Sequence, residues 1–265
     1  MAKLTKNEAV AHQRACDLLA GDARLTMDQA VEVVENWHEG ASHLNTRASA
    51  HFTPWELARH AALEIGGGRI LDLCAGTGIL SLAARDRLGD EVDLTLVEIN
   101  PDYCEVARRL LPDAEIICGS LFDAEVLAAL RGRRWDVAIS NPPFGTFARG
   151  GQATNAPRYT GGDLHYAVID IAADLANDGG FILPQQAVPF RYSGRQGYEH
   201  HGGDARYVKF RDQTGIDLGA NVGIDTTVLP SFRGVSIVTE ISTVDFREAA
   251  IRRAKRDMPL FDVAA

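Results

Sequence analysis

An open, doubly wound α/β sheet is the fold class this sequence predicts, and three observations predict it. Short apolar, β-branched runs recur over residues 70–73, 94–97 and 137–139, as in strands buried on both faces of a parallel sheet. Helix-length stretches separate them, which is the spacing of βαβ units. The first run ends in a glycine turn, Cys74-Ala75-Gly76-Thr77-Gly78, that leads into a helix; such a turn lets a ligand approach backbone and helix N-terminus closely. At 265 residues, 46% hydrophobic and 24% charged, one domain with a small appendage fits the chain. The expected layout is an N-terminal helical extension over 1–48, a seven-stranded α/β domain over 49–245 and a tail over 246–265.

Residues 5–20 and 26–39 read as amphipathic helices, with Thr26 and Gln29 forming a capping box and Gly40 as the stop. Their apolar positions, Val10, Leu18, Leu19, Val31, Val34 and Trp37, are expected to pack on the core. After a polar link comes His51-Phe52-Thr53-Pro54-Trp55-Glu56, where Thr53 reads as an N-cap, Pro54 as the first helical residue and Glu56 as the third. The glycine turn has two glycines where a dinucleotide fingerprint wants three, and Asp72 stands at the strand end. An acid there repels a pyrophosphate and suits an ammonium group. The next strand ends in Glu98, placed to accept hydrogen bonds from two ribose hydroxyls. A helix follows from Asn100-Pro101 to about Leu111, then a strand and its exit over 114–123.

The run 137–139 stops at Asn141-Pro142-Pro143-Phe144-Gly145. The prolines lack an N–H and restrict the residues before them, so Asn141 is held extended at the carboxyl end of a strand, where open α/β sheets place their ligands. Its amide offers an acceptor and two donors, which suits gripping an –NH2 group between the Asn141 and Pro142 carbonyls. The loop 145–162, glycine-rich and carrying Arg149 and Arg158, reads as a flap over a substrate. A helix over 167–176 and a strand over 180–184 come next. Positive charge then gathers at Arg191, Arg195, Arg206, Lys209 and Arg211, against Glu199 and Asp204, where a phosphate backbone would lie. His200-His201 has no further ligand at metal spacing, so no metal is expected. Residues 207–214 and 235–241 read as a closing antiparallel hairpin, with Phe232 on the turn before its last strand.

The order Asp-x-x-x-Gly-x-Gly, then an acid one βαβ step later, then Asn-Pro-Pro-Phe, resembles the class I S-adenosylmethionine-dependent methyltransferases that modify amino or amide nitrogens. The resemblance covers roughly residues 50–245. It implies a Rossmann-like methyltransferase sheet and S-adenosylmethionine as cofactor, held by Phe52, Thr53, Asp72, Cys74, Gly76, Gly78, Glu98, Ser120, Leu121 and Asn141. In the family an Asp is common where Ser120 stands; Ser120 can still accept from the adenine amine, and Leu121 can cover its ring. Adenine-specific DNA methyltransferases carry a similar Phe/Tyr-Thr-Pro element, and an aromatic at the place of Phe232 that stacks on a swung-out base. The resemblance therefore implies adenine N-methylation in DNA, as in restriction–modification systems. Asn141, Pro142 and Phe144 would be catalytic, with Phe144, Phe232, Arg191 and Arg195 on the substrate. Methylation of RNA adenine or protein glutamine is the alternative, and a binding protein that lost turnover the second. The formal net charge of −9 helps the first alternative, because nucleic-acid enzymes usually carry a basic surface: either the basic residues gather on one face or the substrate is not a nucleic acid. No membrane span is expected, and the four cysteines lack a disulfide or metal pattern, which fits a reducing cytoplasm. Near the end, Met258-Pro259-Leu260-Phe261 resembles the terminal peptides by which bacterial DNA enzymes dock on the replication sliding clamp.

Overall fold

The structure, a computed structural model, describes residues 4–38, 52–146, 155–232 and 237–257. In chain order these form α1 (Lys6–Ala20), α2 (Met27–Asn36), α3 (Trp55–Ala62), β1 (Arg69–Leu73), α4 (Ile79–Leu88), β2 (Asp93–Glu98), α5 (Pro101–Leu110) and β3 (Glu115–Cys118). Then follow α6 (Ala124–Leu130), β4 (Trp135–Ser140), α7 (Leu164–Leu175), β5 (Ala176–Pro184), β6 (Phe190–Arg191), β7 (Glu199–His200), α8 (Ala205–Thr214), β8 (Gly219–Ala220), β9 (Thr239–Asp245) and α9 (Phe246–Asp257).

Among the described residues, seven strands make one sheet in the order β3-β2-β1-β4-β5-β9-β8. The first five run parallel, β9 runs antiparallel to β5, and β8 pairs antiparallel with β9. This is the seven-stranded Rossmann-like methyltransferase sheet. Strand order reverses between β1 and β4, which opens a crevice above their carboxyl ends. The Ser140 hydroxyl donates to the Leu73 carbonyl and ties the two strand ends together there.

Alternation along the strands splits the core into two layers. Leu71, Leu73, Val97 and Ala138 face α6 to α9, whereas Ile70, Leu94, Leu96, Val137 and Ile139 face α1 to α5. The N-terminal helices thus share a core with α3, α4 and α5, through Ala15, Ala30 and Val33, whereas Val10, expected in the core, is exposed. No helix among the described residues is long and apolar enough to cross a membrane.

Several local expectations are corrected. Residues 207–214 are helix, not strand: Asp204 caps α8 by accepting from the Arg206 and Tyr207 N–H groups, and Gly215 closes it at φ 68°. Tyr207, Phe210 and Thr214 are buried at helical spacing, a period that outweighs their aromatic and β-branched character. The strand before β9 is therefore the two-residue β8, and β9 runs on to Asp245. Helix α2 ends at Asn36, with Trp37 and His38 beyond it, and Gly40 lies outside the described residues. Pro54, rather than Thr53, is the cap residue of α3, and no side chain caps that helix. Of the loop after Gly145, residues 147–154 with Arg149 lie outside the described residues. Its returning end is pinned: the Arg158 guanidinium pairs with Asp170 and Asp174, and the Tyr159 N–H donates to Asp170. The segment Met258-Pro259-Leu260-Phe261 also lies outside the described residues.

Candidate active site

The crevice is a cleft with a cavity volume of about 240 Å³. The glycine loop, the ends of β2 and β4, the exit of β3 and the Phe52-Thr53 segment all contribute to its walls. The loop takes its shape from left-handed backbone at Cys74 (φ 58°), Gly76 (φ 58°) and Gly78 (φ 83°). Gly78 is required by packing, because a Cβ there would lie 2.9 Å from the Leu96 side chain. At Gly76 an added Cβ would sit 3.5 Å from the Phe52 ring, which covers the loop. Cys74 adopts its conformation without being glycine, at a cost on the order of 1–2 kcal/mol. Burial, reinforced by the Glu98 and Asp72 carboxylates, pushes its thiol pKa up, so it stays a protonated, apolar wall group.

Glu98 is buried and spans two loops: one carboxylate oxygen accepts from the Gly76 N–H and the other from the Asn100 N–H, both at 2.8 Å. Burial raises its pKa, and those N–H groups oppose the rise. The Ile99 N–H donates to the same carboxylate, so of its roughly four lone-pair sites about one remains for a ribose hydroxyl. Asp72 stands behind the loop, fully buried and away from the cleft wall. One of its oxygens accepts from the Ser81 hydroxyl at 2.7 Å and the other has no protein donor. Burial pushes its pKa up to about 7.

Asn141 lies on the cleft wall at the end of β4 with Pro142, Pro143 and Phe144. Its amide nitrogen donates to the Thr53 hydroxyl at 2.9 Å, which fixes the plane of the amide. The Phe-Thr-Pro element thus serves the Asn-Pro-Pro-Phe motif directly, and this is why Thr53 does not cap a helix. Ser120 and Leu121 lie on the opposite wall, where the Ser120 hydroxyl accepts from the Phe122 N–H at 3.2 Å. Phe144 and Phe232 meet edge to face with centroids 6.0 Å apart, and Phe232 is buried in the cofactor-side core. In this arrangement no base-sized gap separates the two rings. Arg191 and Arg195 lie apart from the cleft on the β6–β7 hairpin, where Arg195 is 3.9 Å from Glu199. Arg206 and Arg211 are engaged with Asp204 and Asp212.

The sequence reading passes over Ile99, Asn100, Tyr103 and Phe122, which also line the cleft. Ile99 had a signal: a large apolar residue just past a strand, here 65% exposed at the site. Tyr103 had none, because it reads as an ordinary helix-face aromatic. Trp37, Phe52 and Tyr103 form a cluster, with Trp37 edge-on to both others at 5.9 Å and Phe52 to Tyr103 at 5.1 Å. The N-terminal extension thereby reaches the cleft. Arg109 of α5 holds it from below, donating to the carbonyls of Leu19, Gly21 and Ala23.

Fold and cleft together define the class I methyltransferase architecture, and comparison with known proteins agrees. Residues 57–156 match the family model of the methyltransferase small domain. A tRNA1(Val) (adenine(37)-N6)-methyltransferase from Yersinia pestis (strain Pestoides F) is 30% identical over 140 residues, 49% of this chain and 56% of that protein. The enzyme of the same name from Yersinia pseudotuberculosis serotype O:1b (strain IP 31758) matches to the same extent. The chain thus spans about half the length of the curated relatives it matches. A solved structure, the methyltransferase subunit of a type I restriction-modification system from Streptococcus thermophilus, superposes with a TM-score of 0.55 at 17% identity. That superposition covers 86% of this chain and 50% of that one, and it speaks to the fold.

The cofactor this domain implies is S-adenosylmethionine, and the cleft fits it. A buried carboxylate at Glu98 suits a ribose hydroxyl, and Ile79, Val97, Ile99 and Leu121 supply apolar wall for a ring. The covered turn at Gly76 admits backbone contact that a side chain there would crowd.

Proposed function

We propose that this chain transfers the methyl group of S-adenosylmethionine to the exocyclic amine of adenine in RNA. The observation that carries the reading is the Asn141 amide, locked by Thr53 at the mouth of the cleft. The Asn141 side-chain carbonyl and the Pro142 backbone carbonyl would each accept one N–H of the amine. That turns the nitrogen lone pair out of conjugation with the ring and toward the cleft. When bound, S-adenosylmethionine supplies an electrophilic methyl on a sulfonium. Phe144 would lie against the base, Glu98 would hold the ribose, and Gly76 would carry the backbone contact. The rate then comes chiefly from position and alignment.

Two observations move the substrate from DNA, the expectation from sequence, to RNA. The matched relatives are named for an adenine in tRNA. Phe232, whose place on the turn favoured a base swung out of a duplex, is buried against Phe144. Incubation with labelled cofactor and separate RNA, DNA and protein pools tests the reading. Label recovered as N6-methyladenine from RNA supports it, and label confined to DNA or protein overturns it.

A further inference from the structure

We infer that the β6–β7 hairpin is a docking ledge for an unpaired stretch of RNA, Tyr198 being its stacking platform and Arg191 and Arg195 its phosphate contacts. The inference rests on the RNA reading and names where the strand outside the cleft would lie. Topology places the ledge. The cofactor pocket occupies the carboxyl ends of β1 and β2, so a substrate reaching Asn141 enters from the β4–β5 side. The hairpin follows β5 after one short turn, Gln185–Ala187, and is tied to β9, the strand next to β5.

The ledge is built rigidly. Glu240 on β9 is fully buried, and its carboxylate accepts from the Gln185 side chain, the Tyr192 and Ser193 N–H groups and the Ser193 hydroxyl, at 2.7 to 2.9 Å. The hairpin turn is held further by the Gly194 N–H, which donates to Asp225 at 3.0 Å. Residues 225–232 then lead to Phe232, in contact with Phe144 of the catalytic motif. The chain segment that anchors the hairpin turn thus also packs against the Asn-Pro-Pro-Phe motif.

Tyr198 presents a large exposed ring on this hairpin. It is 52% exposed and stacks at 5.7 Å and 27° on Phe190, which is completely buried. One ring face is thus fixed on a rigid support and the other is open to solvent. An open aromatic face beside arginines binds unstacked bases without regard to sequence, which a single strand offers and a closed duplex does not. On the hairpin Glu199 lies 3.9 Å from Arg195, and among the described residues Arg191 lies against no carboxylate, so Arg191 is the cation open to a phosphate while Arg195 must exchange partners to reach one.

Binding is to be measured by fluorescence anisotropy with a synthetic RNA stem-loop carrying adenines in its unpaired loop, and with the same strand closed as a full duplex. The wild type should prefer the stem-loop. Tyr198→Ala should weaken stem-loop binding about tenfold and raise KM for the stem-loop in parallel. Cofactor affinity and melting temperature should be unmoved. Val10→Ala, an exposed apolar change on α1, is the control and should alter nothing. Arg195→Ala should add a smaller loss that disappears in high salt. If the wild type methylates RNA while Tyr198→Ala keeps its stem-loop affinity and KM, the ledge is refuted and the RNA reading stands. If the wild type labels no RNA, the reading falls and the ledge falls with it.

Discussion

Thr53 and Asn141 lie 88 residues apart in the chain and meet through a single hydrogen bond. Thr53→Val keeps the shape and removes the acceptor, so the amide loses its fixed orientation. Turnover should fall about tenfold to a hundredfold, with cofactor affinity little changed. Asn141→Ala should nearly abolish transfer. Calorimetry with cofactor alone, alongside kcat, separates these outcomes, and a Thr53→Val enzyme of full rate would refute the assigned role. Two other buried groups make a prediction about pH. Asp72 titrates near 7 folded and 3.8 unfolded, so the folded chain keeps a proton that the unfolded chain has released. Its effect is a loss of stability as pH rises between about 4 and 7. His165, buried with no partner for either ring nitrogen, titrates near 4 folded and 6.5 unfolded. Its effect is the reverse, a loss of stability as pH falls through 6.5 toward 4. Each is on the order of 3–4 kcal/mol at most, and they oppose each other where the windows overlap. Asp72→Asn should therefore leave a stability that climbs from pH 4 to 6.5, and His165→Gln one that declines from pH 4 to 7. Denaturant unfolding across that range checks both signs; two variant profiles parallel to the wild type would sink the assignment.

At the scale of elements, the N-terminal extension buttresses the cleft from behind through Trp37. Trp37 touches Phe52 and Tyr103, and both of those line the cleft. Aromatic pairs contribute about 0.5–1.5 kcal/mol each. Trp37→Ala should therefore raise the cofactor dissociation constant about fivefold to tenfold, and calorimetry will show it. A change in melting temperature without one in affinity would reduce Trp37 to a packing residue. Elements differ in how far the sequence discloses them. Strands β1, β2 and β4 are legible because burial on both faces makes them mostly apolar, and Asn141 is legible because its neighbouring prolines fix it. Helix α8 is obscured, since Tyr207 and Phe210 favour strands locally while their spacing and Asp204 favour a helix. Thr53 is misread because a good cap and a distant acceptor call for the same residue type. Arg158 resembles a free loop cation, yet Asp170 and Asp174, one helical turn apart, were a readable sign of its partner. Phe232 falls between β8 and β9, but its burial depends on the tertiary fold and leaves no local trace.

For the molecule as a whole, net charge is the limiting fact. Arg24, Arg133, Arg158, Arg206, Arg247 and Arg252 each lie against a carboxylate, as does Arg195, so these cations meet phosphates only by exchanging partners. A binding surface of one to three phosphate contacts predicts a shallow salt dependence. The slope of log affinity against log salt should be about −1 to −2 for a single strand. A slope steeper than about −4 in a salt titration would mean a larger basic surface than this one.

Phe52 and Thr53 are consecutive, one lying over the glycine loop and the other holding the amide that would receive the substrate. The two ligands therefore meet the same dipeptide, and neither should bind in ignorance of the other. Reciprocity then follows from thermodynamics: if cofactor tightens RNA binding by some factor, RNA must tighten cofactor binding by the same factor. A factor of about five or more is expected, equal in the two orders of titration, and Thr53→Val should bring it to one while leaving both sites able to bind alone.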